Sequence, residues 1–186
     1  MSKEKVIPVK GTLLISAPFL SDIFKRSVVL LTEHNNEGSV GFIINKPLKM
    51  KFNEVIEDFP EFNAKIFLGG PVQPELVNFI HKAGNLLDGG VEIIDGIFWG
   101  GNFQTLKILA EQGSLNPEDF RFFLGYSGWS PNQLISELEI DSWFLNNSNK
   151  EYIFDPDSDH LWQKILKSKG GEYSVISTFP EDPSVN

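Results

Sequence analysis

Short apolar runs bounded by Gly, Pro and Asn dominate the first half of the chain and predict β-strands. Runs rich in Val, Ile and Leu lie at 12–16, 27–32 and 40–45, and each has the length of a strand. Turn-forming residues from His34 to Ser39 join the last two runs, which predicts a hairpin. Shorter runs of the same kind follow at 66–68, 76–81, 91–94, 97–99 and 121–124.

Four segments instead carry the apolar spacing of amphipathic helices. They are 52–59, 102–112, 130–138 and 159–167. Asn102 and Ser130 are predicted N-caps, and Pro131 suits the first helical position. Pro60 and Gly113 mark helix ends. Strands grouped early, with helices inserted irregularly, predict an α+β fold rather than a regular βαβ alternation.

The pentapeptide Gly125-Tyr126-Ser127-Gly128-Trp129 lies between the strand at 121–124 and the helix after Ser130. Its two glycines allow backbone angles that a Cβ disfavours, so we predict a tight turn and a strand that breaks at Gly125. The motif is close to the nucleophile elbow, Gly-x-Ser-x-Gly, but Trp129 replaces its second glycine. A structural turn is therefore favoured over a serine nucleophile. We expect Trp129 to anchor the helix to the sheet and Tyr126 to lie nearer the surface, by the His34 loop.

The length of 186 residues and the apolar content of 41% suit one domain with its own core, to which 16 Phe and 4 Trp contribute. We predict a leader at 1–10, a single domain at 11–170 and a polar C-terminal tail at 171–186. The charged amino terminus is not a signal peptide, and no apolar stretch is long enough to span a bilayer. A cytoplasmic protein without membrane association is the expectation.

Charge and cysteine content narrow the functional classes. The formal net charge of -9 opposes contact with phosphates, so direct nucleic-acid binding is not expected. The absence of cysteine excludes disulfides, thiolate catalysis and Cys-ligated metal sites. The acidic end of the helix after Ser130, with Glu137, Glu139 and Asp141, is interpreted as solvated.

Other polar signals are weaker. Gly69-Gly70 follows a predicted strand and could present backbone amides to an anion, although backbone freedom is the simpler interpretation. Glu33-His34 could bind a metal or move a proton, but a loop side chain hydrogen-bonded to backbone is the commoner outcome. The three histidines form no His-Glu-x-x-His arrangement. We therefore predict no catalytic residue, no metal site and no cofactor.

Several segments in order resemble one protein family. They are Gly11–Pro18, Phe24–Val29, Glu33–Gly38, Gly41–Pro47, Gly69–Val72 and Leu124–Trp129, with Gln133-Leu134 and Trp143 after them. In this order and spacing the chain resembles the AlgH/YqgE family of bacterial proteins over roughly residues 11–145. The family usually has Ala where Ser127 stands, Glu where Ile135 stands and Asn where Asp141 stands.

The resemblance implies a compact α/β fold with a bent, coiled sheet that is mostly antiparallel or mixed. It also implies a bacterial cytoplasm, and members are often labelled transcriptional regulators. The label of transcriptional regulator implies no particular biochemical activity. The alanine that is usual at position 127 weakens the interpretation of Ser127 as a nucleophile.

The leading hypothesis is a non-catalytic binding module that affects gene expression indirectly, through a protein partner or a small ligand. The alternative is an enzyme whose site forms where Glu33-His34, Asn45-Lys46-Pro47 and Gly125–Trp129 converge. A monomer or a weak homodimer is expected. The candidate binding residues are Arg26, His34, Asn45, Gly69, Gly70, Tyr126, Trp129 and Gln133.

Overall fold

A computed structural model describes residues 7–181, which form nine strands and six short α-helices. The strands are β1 (Leu13–Ser16), β2 (Val28–Asn35), β3 (Gly38–Ile43), β4 (Lys65–Leu68), β5 (Val72–His81), β6 (Val91–Ile94), β7 (Ile97–Trp99), β8 (Phe120–Trp129) and β9 (Trp143–Asn146). The α-helices are α1 (Phe52–Val55), α2 (Phe103–Glu111), α3 (Gln133–Glu139), α4 (Lys150–Ile153), α5 (Leu161–Lys169) and α6 (Gly171–Ile176). Short 3-10 turns precede β2, β6, β8 and α5.

All nine strands belong to one open sheet. Eight of them follow the order β6-β7-β5-β8-β3-β2-β1-β9, and β4 lies off this path. Neighbours along this path are antiparallel, and β4 pairs with β8 in parallel. The predicted α+β fold with a mostly antiparallel sheet is confirmed. The predicted hairpin is also present, because Asn35 pairs with Gly38 across a two-residue turn.

Strand β8 joins the two halves of the sheet. Up to Leu124 it pairs with β4 and β5, Tyr126 still pairs with Val72 of β5, and from Ser127 onward it pairs with β3. The predicted strand break at Gly125 is therefore wrong: the strand bends there and continues to Trp129. Gly125 has a φ of +67°, and a Cβ at this position would lie 2.5 Å from the Gly70 carbonyl oxygen.

The segment that crosses β8 at its bend explains why the strand stays continuous. The Gly69 amide donates to the Leu124 carbonyl at 2.8 Å, and the Gly69 carbonyl accepts from the Ile43 amide at 2.9 Å. The Ser127 hydroxyl also donates to the Gly69 carbonyl, at 3.1 Å. One glycine thus hydrogen-bonds both halves of β8 and the end of β3. The φ of Gly128 is not positive, so the left-handed backbone angle in this motif occurs at Gly125 and not at Gly128.

Apolar side chains cover both faces of the central strands. Along β1, Leu13 and Ile15 point into a cluster beneath α5, whereas Leu14 points to the opposite face, toward Trp129 and Trp143. This alternation follows from the two-residue repeat of a strand. A third cluster is mainly aromatic and lies under α2, and it contains Phe52, Phe59, Phe62, Phe120 and Phe122.

Two predicted helices differ from the structure. The segment 52–59 is helical only over Phe52–Val55, because Ile56 is extended and Asp58 adopts a left-handed φ of 54°. Phe59 still reaches the same cluster as Phe52. Ser130 is not the cap of α3, because Asn132 precedes that helix with a φ of 63°. The Ser130 amide instead donates to Oε1 of Gln133 at 2.9 Å.

The C-terminal part of the chain is more structured than the sequence indicated. Helix α6 lies inside the predicted tail, and the Tyr173 ring packs edge-on against Phe144 with 5.1 Å between ring centroids. The short helix α4 was also not predicted. Residues 1–6 of the predicted leader and residues 182–186 of the tail lie outside the described residues.

Candidate functional site

The hairpin between β2 and β3 is flanked by two cavities. The first, here called the hairpin groove, has a volume of about 370 Å³. Its lining residues are Glu33, Asn35, Glu37, Gly38, Ser39, Val40, Val72, Tyr126, Gly128, Trp129, Ser130 and Pro131. The second lies toward α3, measures about 480 Å³ and includes His34, Asn132, Leu134 and Ile135 in its lining. The residues Asn35, Gly38, Ser39 and Ser130 line both cavities.

Tyr126 is the aromatic side chain that defines one wall of the hairpin groove. It is partly buried, as expected for a residue near the hairpin surface. Within residues 7–181 no hydrogen bond to its hydroxyl is formed, and this oxygen is not among the buried polar atoms without a partner, so it is open to water or to a ligand. Gly128 makes room for the ring, because a Cβ there would lie 3.2 Å from Cε2 of Tyr126.

The charge of the hairpin groove is negative. Glu33 and Glu37 are its charged lining residues, and no Lys or Arg of the described chain lines it. The Glu33 carboxylate accepts a hydrogen bond from the Asn35 side chain at 2.8 Å, which holds it at the hairpin tip. A cationic or hydrogen-bond-donating ligand suits this surface better than an anion does.

His34 has a structural contact in the hairpin. It pairs with Ser39 across the β-ladder, and its Nδ1 lies 2.7 Å from the Ser39 hydroxyl. The histidine therefore lies on a strand and bonds to a side-chain hydroxyl, not to the backbone of a loop as expected, and its side chain also lines the cavity toward α3.

Trp129 anchors α3, as expected, but the group that holds it was not predicted. The Trp129 indole is 6% exposed and donates to Oε2 of Glu137 at 2.9 Å. Trp143, which is 4% exposed, donates to the same oxygen at 2.7 Å. The interpretation of Glu137 as a solvated residue is therefore wrong. The sequence signal that could have identified Glu137 as a bonded residue is its helical spacing from Gln133. Gln133 lies four residues earlier on α3 and donates a hydrogen bond to Oε1 of Glu137 at 3.0 Å.

Arg26 and Asn45 lie at a different cavity, of about 280 Å³, which also includes Lys25, Lys46 and Gln163 in its lining. Asn45 is buried, and both ends of its side-chain amide bond to the backbone. Its oxygen accepts from the Val28 amide at 2.8 Å, and its nitrogen donates to the Arg26 carbonyl at 2.9 Å. Burial and the neighbouring Lys25 lower the pKa of Lys46. The Arg26 guanidinium stacks over the Trp162 ring and donates to the Phe179 carbonyl.

The remaining candidate residues, Gly69, Gly70 and Gln133, have structural roles. Gly69 and Gly70 pass so close to β8 that a Cβ on either would lie 2.2 Å from a backbone atom of Gly125 or Tyr126. Gln133 uses both ends of its amide, for Ser130 and for Glu137. These three residues line neither of the two cavities at the hairpin.

The structure thus brings together part of the predicted site. His34, Tyr126 and Trp129 meet around the hairpin, whereas Arg26 and Asn45 line a separate cavity. The arrangement in which Glu33-His34, Asn45–Pro47 and Gly125–Trp129 share one cleft is not formed. Ser127 has no exposed surface, and its hydroxyl is bonded to a carbonyl rather than to a base.

The protein is a single α+β domain. Strand β8 belongs to both halves of its open sheet, and Gly69-Gly70 cross that strand at its bend. The chain belongs to the AlgH-like family, whose model matches residues 13–174. The match extends well beyond residue 145, through α5 and into α6, so the range inferred from the sequence motifs was too short.

Relatives match over nearly the whole chain. A UPF0301 protein of Chlorobium limicola is 44% identical over 183 residues, which are 98% of this chain and 97% of that protein. A UPF0301 protein of Chlorobaculum tepidum is 43% identical over 187 residues and covers both chains completely. The solution structure of the AlgH protein from Pseudomonas aeruginosa has a TM-score of 0.72 and 27% identity, with 97% of this chain and 98% of that chain covered.

A second solved structure supports the fold alone. The crystal structure of protein DIP2367 from Corynebacterium diphtheriae has a TM-score of 0.78 at 23% identity, with 96% of each chain covered. All four of these relatives are bacterial proteins, as the resemblance implied. Between residues 7 and 181 no helix combines the length and apolar character needed to cross a membrane.

Proposed function

We propose that this protein is a non-catalytic binding module whose hairpin groove receives an extended, basic segment of a protein partner. The observation that carries the proposal is Tyr126, a partly buried phenol without a hydrogen-bond partner among the described residues, in a groove whose charged residues are Glu33 and Glu37. A Lys or Arg side chain can contact both the carboxylates and the face of the Tyr126 ring.

The backbone around the groove supports an extended ligand. Beyond Tyr126, which pairs with Val72, strand β8 has no partner on its β5 side among residues 7–181, and Gly128 is exposed at that edge. Strand edges of this kind bind peptides by adding a further strand, and flanking pockets select the side chains. A strongly acidic protein of net charge -9 also attracts basic segments from a distance.

Under this proposal any influence on gene expression, the role that the family label implies, acts through the partner rather than through DNA. The protein then acts in the cytoplasm, where such a partner is available.

Site-specific crosslinking tests the proposal. A photo-crosslinking amino acid is placed at Tyr126 and, as a control, at Ile108, which is 52% exposed on α2 and lines neither cavity at the hairpin. After capture from native lysate, we expect one protein crosslinked at position 126 and not at position 108. Its crosslinked segment should be rich in Lys or Arg.

Charge variants then test the chemistry on the identified segment. Changing Glu33 and Glu37 together to Gln should weaken binding about two- to thirty-fold, because each rim charge contributes roughly 0.2–1 kcal/mol. Tyr126→Phe should weaken binding through its hydroxyl, with little effect on folding. A Glu139→Gln variant, changed on α3 outside both cavities, is the matched control. Equal binding by all these variants, or a small molecule as the only material retained at position 126, would contradict the proposal.

A further inference from the structure

Arg121 is a buried cation without an ion-pair partner. Arg121 lies at the beginning of β8 and is 6% exposed. Among residues 7–181 it forms no ion pair. Nη1 donates to the Phe120 carbonyl at 3.1 Å, and Nη2 donates to the Phe154 carbonyl at 3.2 Å. The buried Nε–H has no acceptor in the described chain. Burying a charge is costly unless it is paired, so this arrangement is unusual.

The surroundings of Arg121 concentrate positive charge at one cavity of about 460 Å³. Lys65 faces Arg121 across the parallel β4–β8 pair, and Lys82 also lines the cavity. The Phe154 ring lies between the cations, 5.0 Å from the Arg121 guanidinium carbon and 4.6 Å from Nζ of Lys82. Sequence reasoning did not single out any of these residues.

Acidic residues neutralise only part of this charge. Asp119 forms an ion pair with Lys82 at 2.8 Å, and Glu118 lines the same cavity. Burial lowers the pKa of Arg121, while Glu118 and Asp155 oppose that shift. Counting the charged lining residues gives three cations, Lys65, Lys82 and Arg121, against two anions, Glu118 and Asp119.

We propose that this cavity, here called the Arg121 cavity, binds a phosphate group between the Arg121 guanidinium, Lys82 and Lys65. Guanidinium presents its donors in a fixed fork that matches phosphate oxygens, and ammonium groups add point charge. A site that combines one guanidinium with two ammonium groups favours a doubly charged anion over a singly charged carboxylate. The volume exceeds that of one phosphate ion, so a small phosphate monoester also fits.

The composition of the chain makes the test direct, because Arg26 and Arg121 are its two arginines. Two Nε–H signals are therefore expected in a nitrogen-15 correlation spectrum of the full chain, and an Arg26→Lys variant assigns them. Titration with inorganic phosphate at constant ionic strength should move the Arg121 signal in a saturable way, with a Kd of about 0.1–5 mM. Addition of chloride to the same ionic strength should leave that signal in place.

Variants separate a phosphate site from a structural arginine. Lys82→Gln should weaken phosphate binding about ten-fold, a loss of about 1.4 kcal/mol, and Lys65→Gln should weaken it by less. Lys167→Gln, at an exposed position of α5 outside the cavity, should bind phosphate as the wild type does. Arg121→Lys retains the charge but loses the fork, so it should abolish saturable binding if it folds. If it does not fold, the lysine variants decide the question.

Comparison of three anions identifies the ligand class. Tighter binding of ribose 5-phosphate than of inorganic phosphate identifies a phosphate monoester as the ligand, and equal binding identifies the phosphate group alone. Either outcome supports the proposal. Acetate binding as tightly as phosphate, an Arg121 signal that does not move up to about 20 mM phosphate, or equal affinities for the Lys82 and Lys167 variants would overturn it.

Discussion

Removal of the Glu137 carboxylate should loosen α3 from the sheet. Glu137→Ala leaves the Trp129 and Trp143 indoles, which are 6% and 4% exposed, without their common acceptor. The two rings also contact each other edge-to-face at 5.9 Å, so both lose the group that fixes their relative position. Because Trp129 belongs to β8 and Trp143 to β9, the carboxylate connects three elements at once.

The expected loss in the free energy of unfolding follows from the two hydrogen bonds that the indoles donate to the charged Glu137 carboxylate. Each contributes roughly 1.5–3 kcal/mol, and Glu137 is only partly buried, so water can replace part of the loss. We expect Glu137→Ala to lower the free energy of unfolding by about 3 kcal/mol, at the low end of that sum. For a chain of this length the melting temperature should fall by about 6–12 °C. Glu137→Gln retains an acceptor without the charge and should lose about half as much.

Thermal and urea unfolding followed by circular dichroism measure this effect. Glu139→Ala is the matched control, because Glu139 is exposed on the same helix and no hydrogen bond to its carboxylate forms within the described chain. The control should melt close to the wild type. The reasoning is refuted if Glu137→Ala melts within about 2 °C of Glu139→Ala, which would mean that water satisfies both indoles at no cost.

The remaining predictions concern single residues and charge. Trp129→Ala should destabilise the protein by about 3–5 kcal/mol in the same unfolding assay. Ser127→Ala should cost only about 1 kcal/mol, because the Gly69 carbonyl keeps its bond from the Ile43 amide, and a fluorophosphonate probe should not label the buried Ser127. Burial lowers the pKa of His81 from its ordinary value of 6.5, so the unfolded chain binds the extra proton and stability should fall as pH drops below 6.5. Urea unfolding between about pH 7 and pH 5.5 should show a shallower pH dependence for His81→Gln. Electrophoretic mobility shift at physiological salt should detect no specific DNA duplex binding, and a salt-resistant, sequence-dependent shift would contradict this.

Local sequence patterns predicted the strands better than the helices, for a physical reason. The apolar runs of β1, β2 and β3 are buried on both faces, and their shortness, their Val and Ile content and the turn residues that bound them are typical of strands. The segment 52–59 is less apolar, and it buries Phe52 and Phe59 in one cluster with Val55 and Ile56 packed against it. An extended turn achieves that as well as a helix does, and periodicity does not distinguish the two for so short a segment.

The error at Gly125 shows what a single sequence conceals. Glycine indicates that the backbone has an unusual angle, but it does not say whether the strand ends or bends. The deciding contacts come from Gly69, more than fifty residues earlier, which hydrogen-bonds to the strand on both sides of the bend, and from the close approach of Gly70 to Tyr126. Only the long-range pairing of the sheet places those residues together. Tyr126 then faces a groove rather than a sharp corner.

The net charge also describes the surface as a whole and not each site on it. The acidic hairpin groove has the same sign as the net charge of -9, because Glu33 and Glu37 share the hairpin. The net charge gives no indication of the Arg121 cavity, whose three cations come from β4, β8 and the residue after β5. Because the two proposed sites have opposite charge, we expect them to select different ligands. A basic segment and a phosphate group can therefore bind to the same molecule without competing, and titration of each in the presence of the other would reveal any coupling between the sites.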